Sequence, residues 1–188
     1  MLDAIRQIKS LEKALYITVL LNKGKKFMRR SIIIAVFLFS FDAFVLNQDI
    51  IAFITLIIVL PILVISAMIY KTDKFLLKKR LITCSIYFIM AILILISNII
   101  NNRISISRAN ILIYACEKYK EKNNTYPKDL SALVPDFIDK IPIAKYTLLF
   151  NRFFYIARKN SHSLFYMDLP PFGRPTYLFE RRYWVYID

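Results

Sequence analysis

At 188 residues, 57% of them apolar and only two of them glycine, the chain is unlike a loop-rich soluble enzyme. Its formal net charge of +14 is segregated: residues 1–30 carry eight Lys/Arg against two acids, and residues 71–80 carry five bases against Asp73. Between and after these blocks, residues 31–70 hold only Asp42 and Asp49, and residues 81–100 hold no charge. This pattern excludes an ordinary soluble core and points to apolar spans between basic loops. Most of the net charge flanks those spans, and residues 101–188 lack a zinc-knuckle or Gly-rich framework, so nucleic acid is not an expected partner.

Taken in chain order, residues 3–21 read as an amphipathic helix. Ile5, Ile8, Leu11, Leu15 and Val19 share one stripe, with Arg6, Lys9 and Lys13 opposite. Such a helix suits the inner-leaflet surface or packing on other cytoplasmic parts. Gly24 is expected to end it. The short apolar run of residues 15–21 leads into lysines and does not fit a secretory signal. Three transmembrane helices follow, at about 27–46, 50–70 and 81–100, each near the ~20 residues that cross hydrocarbon. Asn47-Gln48-Asp49 leaves almost no loop between the first two, and Pro61 is placed to kink the second. The basic blocks put the N-terminus and the 71–80 loop in the cytoplasm, and so put residues 101–188 on the periplasmic side of an inner (cytoplasmic) membrane.

Helical spacing continues past the third span through Ser105, Ala109, Leu112, Cys116 and Tyr119. The spacing predicts one helix of about 40 residues, with Arg108, Glu117, Lys118 and Glu121 on its exposed side. Cys84 and Cys116 would lie about 48 Å apart on it, far beyond disulfide reach, and Cys116 reads as a small buried hydrophobe. Asn123-Asn124 is expected to end the helix through a left-handed cap. A short helix over 129–133 follows, then strand-like runs at 146–157, 164–169, 177–179 and 183–187, with turns at 159–163 and 170–175. The fold class is therefore membrane α-helical plus a small α+β domain, a long helix packed on an antiparallel sheet. Its divisions are 1–26 (cytoplasmic amphipathic helix and basic segment), 27–100 (the spans) and 101–188 (the extracytoplasmic domain).

Tyr119, then Asn123-Asn124-Thr125-Tyr126-Pro127, Leu130, Leu133 and Pro135, resemble the segment after the long helix of type IV pilins and secretion pseudopilins. Asn124 stands at the glycine of their "N-G-x-Y-P" motif, and the likeness covers residues 107–142. A pilin's cleavage site and its following Glu are missing before the third span, where Lys78-Lys79-Arg80-Leu81-Ile82-Thr83 stands. With two more spans ahead of it, the plan resembles the fimbrial accessory proteins that act beside type IV pilins. The resemblance implies a non-enzymatic assembly or modulation role by lateral contact with pilin, with lipid bilayer and pilin or other pilus-assembly proteins as partners. Ile86 and Leu93 on the third span are then candidate pilin contacts. Asp42 reads either as a headgroup-level carboxylate or as a counter-charge for a pilin's cationic N-terminus.

No catalytic, cofactor or metal set is expected. His162 is the sole histidine, and with Ser161, Ser163 and Asp168 it reads as an exposed hairpin tip rather than a triad. The aromatic residues from Phe153 to Tyr186 are expected to alternate between the long helix and the outside. A membrane-anchored sensor or binding module, whose outer domain takes a ligand or envelope protein, is the alternative.

Overall fold

The computed structural model describes residues 24–159, 161–168 and 174–187. The expected amphipathic helix over 3–21 lies outside the described residues. Two compact units share the chain: residues 24–38 with 54–91, and residues 39–53 with 92–187.

Residues 24–41 are α-helical (α1) and Gly24 is helical, while the helix expected to end at it lies outside the described residues. A π-turn, Asp42–Leu46, extends α1 and closes on the Asn47 N–H, which donates to the Asp42 carbonyl. Asn47 and Asp49 both take left-handed backbone, with φ of 50° and 57°. Asn and Asp tolerate that region better than most residues, which lets three residues reverse the chain. The next helix is built in three parts: α2 (Ile50–Ile54), a π-turn (Thr55–Val59) and α3 (Leu60–Ile69). Pro61 explains the middle part. Its ring would collide with the carbonyl of residue 57 in a regular helix and it has no N–H to donate, so the backbone widens just before it and the Leu60 N–H reaches back to the Thr55 carbonyl.

A short turn ends at Asp73, whose carboxylate accepts from the N–H groups of Phe75 at 2.9 Å and Leu76 at 3.0 Å. That cap starts α4, Lys74–Asn123, a single helix of 50 residues. The expected helix of about 40 residues is thus extended at its start, because the basic segment 74–80 is helical and not loop. Two helices, Ile50–Ile69 and Lys74–Asn123, are long and apolar enough to cross a membrane. In the first unit the buried positions are mostly small, among them Ser31, Ala35, Thr55, Ala67 and Ala91, whereas Ile33, Ile57, Ile62, Ile65 and Met68 are exposed.

In the second unit the C-terminal half of α4 packs as its spacing requires. Ser105, Ala109, Leu112 and Cys116 are fully buried. Glu117, expected to be exposed, is half-buried and accepts a 2.8 Å bond from the Tyr126 hydroxyl. Asn124 has φ 61° and its N–H donates to the Lys120 carbonyl at 2.8 Å, the left-handed cap anticipated from the sequence. Asp129 then caps a 3-10 turn, Leu130–Leu133, by accepting from Ser131 N–H at 2.8 Å. Four antiparallel strands close the domain in simple order: β1 (Phe153–Arg158), β2 (Ser161–Tyr166), β3 (Arg174–Leu178) and β4 (Tyr183–Ile187). Pairing sets Phe153 opposite Tyr166, Tyr155 opposite Leu164, and Tyr177 opposite both Leu164 and Trp184. These side chains meet Leu112, Cys116, Leu130 and Leu133 in the core, while Phe154 and Phe165 stack 5.1 Å apart on the other face.

Two expectations need correction here. Residues 146–152 are not strand, and three of their N–H groups are taken elsewhere: Tyr146 bonds the Asn101 side chain, and Leu148 and Leu149 bond the carbonyls of Phe44 and Val45. The first hairpin turn is also tighter than 159–163. It leaves His162 within β2, where its Nδ1 lies 2.7 Å from Glu180 Oε1 and its ring 4.8 Å from that of Tyr126. His162 is therefore half-buried and packed rather than an exposed tip, and Asp168 lies with other partners.

Candidate functional site

The densest polar chemistry lies in the second unit, where an apolar helix gives way to polar positions. Along α4, Asn98, Asn101, Asn102 and Ser105 fall at i, i+3, i+4 and i+7, the spacing of one helical face. Asn98, Asn101 and Ser105 are buried, and Asn102 is partly so. The 47–49 reversal and the segment around Lys145 cover this face.

Lys145 is fully buried. Its Nζ lies 3.2 Å from Asp168 Oδ1, 3.4 Å from the Asn98 side-chain oxygen and 3.4 Å from the Asn47 carbonyl. Asn98 donates in turn to Asp49, and Asn102 donates to the second Asp168 oxygen at 2.9 Å. The Ser105 hydroxyl bonds the carbonyls of Asn101 and Ala144, both at 2.9 Å, which pins the Lys145 segment to the helix. Asp42 is fully buried as well, and its carboxylate accepts from the N–H groups of Gln48 at 3.3 Å and Ile51 at 3.4 Å. The carboxylate is thus enclosed by the protein and turned onto main-chain N–H groups. It serves as an internal cap on the reversal between two apolar helices.

Electrostatically, three carboxylates surround one ammonium. Burial, joined by the nearby charges of Asp42 and Asp168, pushes the Asp49 carboxyl from 3.8 up to about 6, against the opposing hydrogen bond from Asn98. Burial also holds Lys145 below its ordinary value, with the charge of Asp168 opposing that shift. The cluster is incompletely paired: both side-chain polar atoms of Asn47, the Gln48 Nε2, one oxygen of Asp49 and the Asn102 Oδ1 are buried without a partner. Burying polar atoms without protein partners costs free energy. Chemically the arrangement can hold or release a proton and can fix the helical reversal to the segment around Lys145. Among the described residues, no group of three or more His, Cys, Asp or Glu could hold a metal ion.

The other positions singled out from sequence fall elsewhere. Ile86 is half-buried and Leu93 exposed, seven residues apart on α4. Tyr119, Tyr126, Leu130 and Leu133 gather in and against the core, Pro127 is buried, and Asn124 is exposed at the helix end. The polar stripe beginning at Asn98 was a usable signal that sequence reading passed over. Lys145 gave none, since a lysine in a mixed segment looks like any surface lysine.

Comparison with family models, curated proteins and solved structures finds no match to this chain.

Proposed function

We propose that this chain is a non-enzymatic inner-membrane accessory protein of type IV pilus assembly, with three spans and a pilin-like outer domain that contact pilin laterally. The observation that carries the reading is α4, one helix that runs from an apolar stretch into a face packed on a four-stranded antiparallel sheet. The Tyr119-to-Leu133 motif at the end of that helix supports it. Membrane residence draws on the side-chain distribution. Small residues are buried and large aliphatic ones exposed in the apolar helices, the arrangement that lets helices approach closely in lipid. In this reading the third span and outer helix imitate a subunit's lateral contacts, and the absent processing site keeps the chain out of the filament.

Deleting the protein should change the number of surface pili without changing pilin synthesis or insertion. Photo-crosslinkers at Ile86 or Leu93 should capture pilin in the membrane. Unchanged piliation together with no pilin adduct from any span overturns the assembly reading. A second reading, a membrane-anchored sensor, is favoured by the incompletely paired cluster around Asp49 and Lys145, which suits a site that responds to occupancy or pH. It gains its place if deletion leaves pili unchanged but alters a response to ligand or acid.

A further inference from the structure

Residues 134–152 cross from the 3-10 turn to β1 without joining the sheet, and the middle of this segment turns apolar side chains outward. Leu148 is 74% exposed, the most exposed large apolar side chain among the described residues, and its neighbour Leu149 is 48% exposed. The loop carrying them is not loose. The Leu148 N–H donates to the Phe44 carbonyl at 2.9 Å and the Leu149 N–H to the Val45 carbonyl at 3.0 Å. Those carbonyls belong to the last turn of the first apolar helix, where Phe44 is itself exposed. The Ala144 N–H closes the base of the loop on the Asn151 carbonyl at 2.7 Å, and the Thr147 hydroxyl bonds the Leu149 carbonyl within it. Phe150 takes φ 57°, a left-handed conformation that a bulky side chain adopts only when its surroundings impose it. The molecule thus holds exposed leucines rigidly, at a conformational cost, beside the end of an apolar helix.

The flanks are of a different kind. The Arg108 guanidinium lies 4.1 Å from the centre of the Tyr146 ring and donates to the Ile143 carbonyl at 3.0 Å, and Arg152 is exposed. Leucines and a phenylalanine between a tyrosine and arginines form the sequence of an interfacial anchor. Apolar side chains enter the acyl region, while the aromatic hydroxyl and the cations stay among phosphates.

We propose that residues 146–150 form a membrane-interface loop, with Leu148, Leu149 and Phe150 inserted in the leaflet where the first helix ends, and Tyr146, Arg108 and Arg152 at headgroup level. The occupant is lipid, because the loop is hydrogen-bonded to the end of an apolar helix at Phe44 and Val45, where Phe44 is itself exposed. The inference rests on the membrane reading above, and its test separates the two.

The full chain, with Trp184→Phe to remove its single tryptophan, is placed in phosphatidylcholine–phosphatidylglycerol nanodiscs containing brominated acyl chains. Single probes are introduced as Leu148→Trp, Leu149→Trp, Ile57→Trp and Tyr114→Trp. Leu148→Trp and Leu149→Trp should lose most of their emission to bromine and resist aqueous acrylamide, as Ile57→Trp does, while Tyr114→Trp shows the reverse. If the loop probes are quenched by acrylamide and not by bromine while Ile57→Trp is quenched by bromine, the loop inference is overturned and membrane residence stands. Loop probes shielded from both quenchers are covered by protein, which also overturns it. Ile57→Trp unquenched by bromine removes both readings.

Discussion

Lys145 shows how much a single residue can be asked to organise. Its ammonium is removed from water and set against Asp168, Asn98 and a main-chain carbonyl. Desolvating a charge costs several kcal/mol, which its pairing only offsets. Lys145→Met should therefore destabilise the unit built on the sheet by about 3–5 kcal/mol, since Asp168 is left without its charged partner. The double variant Lys145→Met with Asp168→Leu should recover much of that loss, read by chemical denaturation in detergent. Equal loss in single and double variants would mean the pair is not coupled. The same cluster gives a pH signature. The native Asp49 holds its proton up to about pH 6, whereas an ordinary carboxyl releases it near 3.8. Across that window the folded state binds more protons than the unfolded one, so stability falls as pH rises from 3.8 to about 6 and then levels off. Lys145 acts in the opposite sense at alkaline pH: its depressed value makes stability rise with pH up to the ordinary value of 10.5. Asp49→Asn should reduce the acidic slope and, because the Asp49 charge favours the Lys145 ammonium, start the alkaline rise at lower pH.

Among the elements, the end of α4 is the one whose sequence logic transfers most directly into a measurement. Asn124 sits at φ 61° and closes the helix on the Lys120 carbonyl. A residue with a branched or methyl Cβ pays on the order of 1 kcal/mol in that region, whereas glycine does not. Asn124→Ala should lower stability by about 1 kcal/mol and Asn124→Gly should leave it unchanged or slightly raise it. A destabilised glycine variant would show that the Asn side chain itself matters. The helix, its cap and its buried stripe were legible because periodicity and cap chemistry are local properties of the chain. The strand expected over residues 146–152 failed for the opposite reason. Its aromatic and aliphatic residues have strand propensity, but propensity cannot show that their N–H groups bond Asn101, Phe44 and Val45. His162 was misjudged in the same way: the strand boundary moved, and Glu180 and Tyr126 supplied partners distant in sequence. The site was partly legible, since Asp42 stood out as a carboxylate in an apolar run. Lys145 and Asp168 join it only through the fold.

For the whole molecule, the property that sequence displays most openly is charge segregation, and it leads to a test that every larger reading must pass. Eight bases precede residue 31 and five lie in residues 71–80, while the reversal at 47–49 carries no base. Cationic segments are retained on the cytoplasmic side during insertion, so the two basic regions should face the cytoplasm and the reversal should face outward. The structure adds a reason for the reversal to be on the same side as the outer domain: Asn47 and Asp49 are hydrogen-bonded into the Lys145 and Asn98 cluster. Reporter fusions after Lys25 and Thr72 should therefore read as cytoplasmic, and fusions after Gln48 and Asp188 as periplasmic. The four positions are not independent, and that strengthens the test. With three spans, two consecutive fusions must differ each time a span is crossed, so one reporter on the wrong side forces either a different span count or a different orientation. If residues 27–46 do not span, the fusions after Lys25 and Gln48 report the same side. A cytoplasmic signal from the fusion after Asp188 would place the long helix, its sheet and the loop carrying Leu148 in the cytoplasm, where lateral contact with the outer part of a pilin is impossible.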